Sequence, residues 1–298
     1  NWHITNVSWR SAGGDTEIWK DGNREFSSTL ASGTTIGSNG TLAIGGEQDL
    51  VDGGYDPNQN HTGDFSEIII YNIFLNEAQQ IIVSNYLASK YDLTISNDYY
   101  AYQGTHENDL AGIGREDVSN THTSAMSGNV LQIENASALD TDNEYLFFGH
   151  DNGDVTTSWT TTEAPNGGTD IQRLAREWRV DETGDVGTVD FIVETSSLPA
   201  LPALHTMYVL LVDSDGDFSS GANVYEMALD AGTQYVSAGI NISDGDYVAI
   251  GVLNPKIQFT TTSSSGLENS NANIEISTNF ISTTVKTVEY TTSNGTAT

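Results

Sequence analysis

Apolar and polar residues alternate along this chain in short runs, each closed by Gly, Asn or Asp, and this period of two limits what the chain can fold into. Segments 41–44, 67–71, 145–148, 186–193, 207–212, 247–252 and 274–276 are rich in β-branched and aromatic residues. Successive side chains of a strand point to opposite faces, so such runs predict short strands and the residues between them predict tight reversals. The expected fold class is all-β: β-sandwich or jelly-roll modules in series, with one short α-helix. The helix breaks the pattern. Asn76 is placed to cap it, Glu77 falls in its first turn and Gln79 at its third position, and the pairs Ile82/Tyr86 and Val83/Leu87 carry a four-residue spacing up to Tyr91.

Two composition shifts suggest boundaries. A polar connector from Leu93 to Asp98 follows the helix and leads into Tyr99, Tyr100 and Tyr102, and Asn254-Pro255 interrupts one strand pattern before Ile257 and Phe259 begin another. The expected pieces are therefore 1–93, 94–254 and 255–298. The last is too short to bury a sandwich core by itself.

Charge narrows the function. Ten Lys plus Arg face 41 Asp plus Glu, a net charge of −31, which argues against a phosphate-backbone partner because nucleic-acid binding depends on clustered cations. No apolar run approaches the roughly 18 to 20 residues needed to cross a bilayer. Without cysteine there is no disulfide, thiolate metal site or cysteine nucleophile. An acidic, Thr-, Ser-, Asn- and Gly-rich chain of this kind fits an exported bacterial surface protein, and the chain is expected to be a window from a longer polypeptide.

Three stretches resemble known families. Trp19-Lys20-Asp21-Gly22, Leu42-Ala43-Ile44-Gly45, the run from Gly63 to Asn72, and Tyr86-Leu87-Ala88-Ser89-Lys90-Tyr91 resemble the C-terminal half of a laminin-G-like, concanavalin-like jelly roll. Residues 100–253 resemble an uncharacterised β-rich module of large Bacteroidota surface proteins. That resemblance rests on Leu110 to Asp117, Arg176 to Val180, Thr183 to Val189, Leu211 to Phe218 and Ser243 to Tyr247. The tail, with Ile257-Gln258-Phe259, Ser265 to Ser270, Asn273 to Ser277 and Val288 to Thr292, resembles the start of a Calx-beta domain, in which Glu268 would hold a calcium-ligand position. Together they imply a multidomain adhesin, including those of gliding bacteria.

The sharpest local motif is Asp213-Ser214-Asp215-Gly216-Asp217-Phe218-Ser219. Alternating carboxylates around a Gly turn can bring several oxygens to one calcium ion, which makes Asp213, Asp215, Asp217 and Ser219 candidate ligands. The same residues also suit a solvated acidic turn. Arg176 and Trp178 share one face of a strand and could hold a sugar ring or carboxylate, or simply pack on each other. His3, His61, His106, His122, His150 and His205 form no metal-binding spacing, and no Gly-x-Ser-x-Gly elbow is present.

The chain is therefore expected not to be an enzyme. The leading function is a segment of a cell-surface adhesin or stalk, calcium-stabilised, whose partners are a surface glycan or other extracellular ligand and the neighbouring domains of its own chain. The alternative is a carbohydrate-binding module, accessory to an enzyme elsewhere in the chain.

Overall fold

In a computed structural model, residues 1–37, 40–46, 48–51, 53–261, 273–282 and 284–291 are described, and the chain divides into two compact units at Asn76/Glu77. The first unit holds an antiparallel meander of β1 (Thr5–Trp9), β2 (Asp15–Lys20) and β3 (Asn23–Thr29). Its second turn is Asp21-Gly22, with both residues in the left-handed region as a two-residue hairpin requires. At the first turn, Gly14 lies so close to the Leu30 carbonyl that a Cβ would sit 2.7 Å from it. Trp19 and Ile4 are buried.

The strands expected at 41–44 and 67–71 do not form. Leu42, Ile44, Ile68 and Ile70 stay exposed, and no sheet incorporates these segments. Alternation records what a segment can bury, but a strand also needs a neighbour for its N–H and C=O groups.

The second unit begins with α1 (Glu77–Tyr91), so the helix expected to close the first piece belongs instead to the compact unit that follows. Glu77 in its first turn and Lys90 in its last suit the helix dipole. The most deeply buried apolar residues are Ala78, Ile81 and Ala88, with Asn85 beside them, whereas the expected pairs Ile82/Tyr86 and Val83/Leu87 are only half-buried.

The strands that follow are β4 (Asn108–Asp117), β5 (Asn120–His122), β6 (Ser124–Ser127), β7 (Leu131–Glu134), β8 (Glu144–His150), β9 (Ile171–Arg173), β10 (Trp178–Thr183), β11 (Thr188–Glu194), β12 (Met207–Asp213), β13 (Asn223–Glu226), β14 (Ala228–Ala231), β15 (Gln234–Asn241) and β16 (Tyr247–Leu253). One sheet runs β13-β12-β16-β10-β8-β4-β5, with β9 also paired to β16, and a second runs β14-β15-β11-β7-β6. All pairs within these sheets are antiparallel. The expected all-β class is correct.

Between the sheets lies the main core, with Ile113, Leu146, Phe148, Trp178, Val180 and Ile250 facing Leu131, Ile133, Phe191 and Val193. The outer face of the larger sheet is also covered. Tyr145 and Phe147 pack with Ala78 and Ile81 of α1, while Val209 and Leu211 pack with Phe218. Burial on both faces is why every residue of β8 is buried and why Tyr145 to Phe148 run continuously apolar or aromatic rather than alternating. It also explains Gly112 and Gly114, which stand opposite Phe147 and Tyr145. A Cβ there would lie 2.8 Å and 2.0 Å from ring atoms.

The tail contributes β17 (Ile257–Phe259) and β18 (Ile276–Thr278), an antiparallel pair. Within the expected strand 274–276 only Ile276 is in β18, and Val285 to Tyr290, whose pattern also suits a strand, forms none.

Candidate functional site

The buried Asn85 organises the approach to the site. Its side-chain amide donates to the carbonyls of Ile81 (2.9 Å) and Asn97 (2.7 Å), and its oxygen accepts the N–H of Tyr99 at 2.8 Å. A polar residue thus occupies the helix's inner face because it ties the following connector to the helix. Tyr99 then stacks on Tyr145 with centroids 5.0 Å apart. Tyr100 is buried and donates to the carbonyls of His106 and Arg179. The Ala101 N–H donates to Asp181 at 2.6 Å.

Between this connector and β10 lies a groove of about 310 Å³ lined by Asp98, Tyr99, Tyr100, Gln103, Asp181 and Thr183. Burial pushes the carboxyls of Asp98 and Asp181 above their usual range, and Asp244, hydrogen-bonded to Asp181, adds to the second shift. Burial likewise raises the adjoining Glu182 and Asp246. Arg179 offers little neutralisation to the groove: it lies 3.6 Å from the Tyr102 ring centroid and 4.6 Å from that of Tyr247, and its Nε donates to the Gly245 carbonyl. Gln103 has a buried Oε1 with no hydrogen-bond partner. The groove therefore offers acceptors, an amide and tyrosine rings, without a hydroxyl or thiol nucleophile held by a base.

Two motifs singled out in the sequence meet beside it. Val180 and the Ser243–Tyr247 turn exchange backbone hydrogen bonds, since the Val180 N–H donates to Asp246 O and the Gly245 N–H to Val180 O. Asp98, Tyr99, Gln103 and Asp181 were not candidates, because their partnership joins segments about eighty residues apart in the chain.

The named candidates lie elsewhere. Trp178 is completely buried, donating its indole N–H to Ser127 Oγ at 3.1 Å with its ring edge-on to His150, so it has no face for a sugar. Arg176 donates to the Gly153 carbonyl at 3.0 Å, and its guanidinium carbon is 5.9 Å from the Trp178 ring centroid. The pair packs; the cause is that Trp178 faces the main core.

In the Asp213 loop the carboxylates are spent on its own backbone. Asp213 Oδ1 accepts the N–H groups of Asp215 (2.9 Å) and Gly216 (3.0 Å), Asp215 that of Asp217 (2.9 Å), and Asp217 that of Ser219 (3.1 Å). Asp213 and Asp215 also hydrogen-bond to each other; burial raises the Asp213 carboxyl, while the Asp217 N–H lowers that of Asp215. These are successive Asx turns rather than a converging cage. Among the described residues no group of three or more His, Cys, Asp or Glu is arranged to hold a metal, and Glu268 lies outside them. Nor is any described helix long and apolar enough to cross a membrane.

Comparison with known proteins adds two kinships. A family model described as "Domain of unknown function (DUF8202)" matches residues 78–246, and one described as "Pentaxin family", a jelly-roll, concanavalin-like lectin fold, matches residues 1–101. C-reactive protein of Mesocricetus auratus is 38% identical over 73 residues, covering 24% of this chain and 32% of that protein. C-reactive protein 1.4 of Limulus polyphemus is 35% identical over 80 residues, covering 26% and 33%, and the C-reactive protein of Homo sapiens 31% identical over 70, covering 24% and 31%. The chain thus spans about a third of the length of the curated relatives it matches. No solved structure matches it. The jelly-roll kinship expected for the first piece is met by the pentaxin match, with which the expected non-enzymatic character also accords.

Proposed function

We propose a function for a chain that belongs to the DUF8202 family, a domain of unknown function: it is a non-catalytic ligand-binding segment of an extracellular bacterial surface protein, with a hydroxyl-rich glycan as its ligand. The observation that carries this reading is the groove between the 98–103 connector and β10. Asp98 and Asp181 present carboxylate oxygens to sugar hydroxyls, and Tyr99 lends an apolar ring. The lectin-type kinship at residues 1–101, a span that reaches into the connector lining the groove, supports the same class of ligand. Adhesion, with gliding as one setting for it, is the role we assign to such binding. A surface with 41 acids and ten basic residues would favour neutral glycans over anionic ones.

Calcium belongs to this proposal as an ion of the pentaxin-like first unit, with which kinship it is consistent. The Asp213 loop is a poorer fit to it, because one oxygen of each of its three carboxylates is bonded to backbone amides and the described acids form no converging cluster.

The test is glycan-array screening of the intact chain followed by calorimetry. Asp181→Asn and Tyr99→Ala should each weaken binding of the best neutral glycan at least about tenfold, the loss of one or two polar or stacking contacts. Unchanged binding in both variants would reject the groove. Silence across the array would favour a spacer role without a ligand.

A further inference from the structure

The larger sheet ends at β13, and the outer edge of that strand is taken by the chain's own tail. Ile281 forms a parallel bridge with Tyr225: its N–H donates to the Val224 carbonyl at 2.6 Å, and its carbonyl accepts the N–H of Glu226 at 2.9 Å. Phe280 packs against the cluster of Phe218, Leu211 and Ile171. Both carboxylate oxygens of Glu226 are then occupied, Oε2 by Ser282 Oγ and Oε1 by Lys286 Nζ, each at 2.7 Å. Glu226 is only 8% exposed, so removing those donors would leave a largely desolvated carboxylate without a counter-charge.

This arrangement divides its labour as strand addition does. Backbone hydrogen bonds hold the added segment, while an aromatic and a lysine at fixed distances along it select the sequence. Cations are scarce in a chain with ten Lys plus Arg against 41 acids, so a lysine seated on a buried glutamate is a specific complement. The hold is also short. Among the described residues it spans a single backbone bridge, and Val285 and Tyr290 beyond Ile281 are 93% and 80% exposed.

We infer that the β13 edge is a strand-acceptor site, filled within the chain by Phe280, Ile281, Ser282 and Lys286, and that the same segment of a second copy of the protein fits it in trans. A free sheet edge invites such pairing, and an identical segment exchanged between copies keeps every contact at little cost. The inference does not rest on the glycan groove, which other residues line.

Charge reversal tests it on the full chain. Glu226→Lys and Lys286→Glu each set like charges against each other within their own chain, but a mixture restores opposite charges in both directions between chains. Sedimentation should show each variant monomeric alone and a 1:1 complex on mixing; two folded variants that stay monomeric together would overturn the proposal. Should Glu226→Lys fail to fold, Ile281→Pro decides, since it removes the N–H that bonds Val224. A fluorescent peptide of residues 278–288 should then bind the Ile281→Pro chain at least tenfold tighter than wild type, and adding Glu226→Gln should reverse that gain. Equal binding to wild type and Ile281→Pro would overturn it.

Discussion

Glu67-Ile68-Ile69-Ile70-Tyr71 and Glu144-Tyr145-Leu146-Phe147-Phe148 are near-equivalent as text: an acid followed by four large apolar residues. The second is the most completely buried strand of the molecule, flanked by β4 and β10 and covered on its outer face by α1, whereas in the first Ile68 is 47% and Ile70 68% exposed and no strand forms. Burial belongs to the surroundings that a segment meets, and local pattern only makes it available. Substitution should expose that difference most strongly. Phe147→Ala should cost about 3 to 5 kcal/mol in urea unfolding of the second unit, as loss of a buried aromatic does. Ile70→Ala should stay within about 0.5 kcal/mol. A larger loss at Ile70 than at Phe147 would mean that the first unit hides a face which the structure shows open.

Glycines sharpen the same contrast at smaller scale. Gly114 lies under the Tyr145 ring, whereas a Cβ on Gly46 would find its nearest neighbours at 3.6 Å. Gly114→Ala should therefore destabilise by about 1 to 3 kcal/mol, as overpacking does, and Gly46→Ala should be close to neutral by the same unfolding assay. If Gly114→Ala is tolerated, the ring can swing aside and the two-sided packing of β8 is looser than its burial implies.

This contrast also explains how much was legible beforehand. Segments 145–148, 186–193, 207–212 and 247–252 lie within or largely overlap observed strands, and the helix from 77 to 91 was readable, because those patterns coincide with tertiary partners. The face that the helix buries was not readable. Ile82 and Tyr86 look like the stripe, but Ala78, Ile81 and Ala88 are small enough to approach the sheet and Asn85 earns its burial by bridging to residues 97 and 99. The groove was illegible as a site, since Asp98 and Asp181 meet only once β10 is registered on β8. Its neighbours were visible as the Arg176–Val180 and Ser243–Tyr247 motifs, without any sign that they adjoin.

The groove acids and the turn acid Asp56 should titrate with opposite effects. In the groove, burial holds the folded pKa of Asp181 and Asp98 above the ordinary value of 3.8, so the folded state keeps its protons longer than the unfolded chain. Their contribution is complete below that value and is lost as pH rises through the raised folded pKa. Asp56 in the first unit is lowered by the Asn58 N–H, so its contribution is present above 3.8 and fades as pH falls. Both groups are partly or wholly solvated, which keeps the amplitudes modest. Asp181→Asn should flatten the decline in stability just above pH 4, and Asp56→Asn should flatten the decline below it. An unchanged profile in Asp181→Asn would show that the groove is wetter than its shape suggests.

The smallest expected effect separates the two units by ion rather than proton. Melting the intact chain in calcium and in chelator measures any contribution of the ion, and the Asp213 loop should not be its source. Asp213 Oδ1 holds two backbone N–H groups, and Asp215 and Asp217 hold one each. A cation drawing these Oδ1 atoms together would compete with those bonds and with the turn that positions them. Asp215→Asn keeps an oxygen for the Asp217 N–H while removing the charge. Whatever separation calcium and chelator produce in the wild-type curves should thus persist in that variant. Its disappearance would place the ion at Asp215, and would make the second unit the calcium-dependent one.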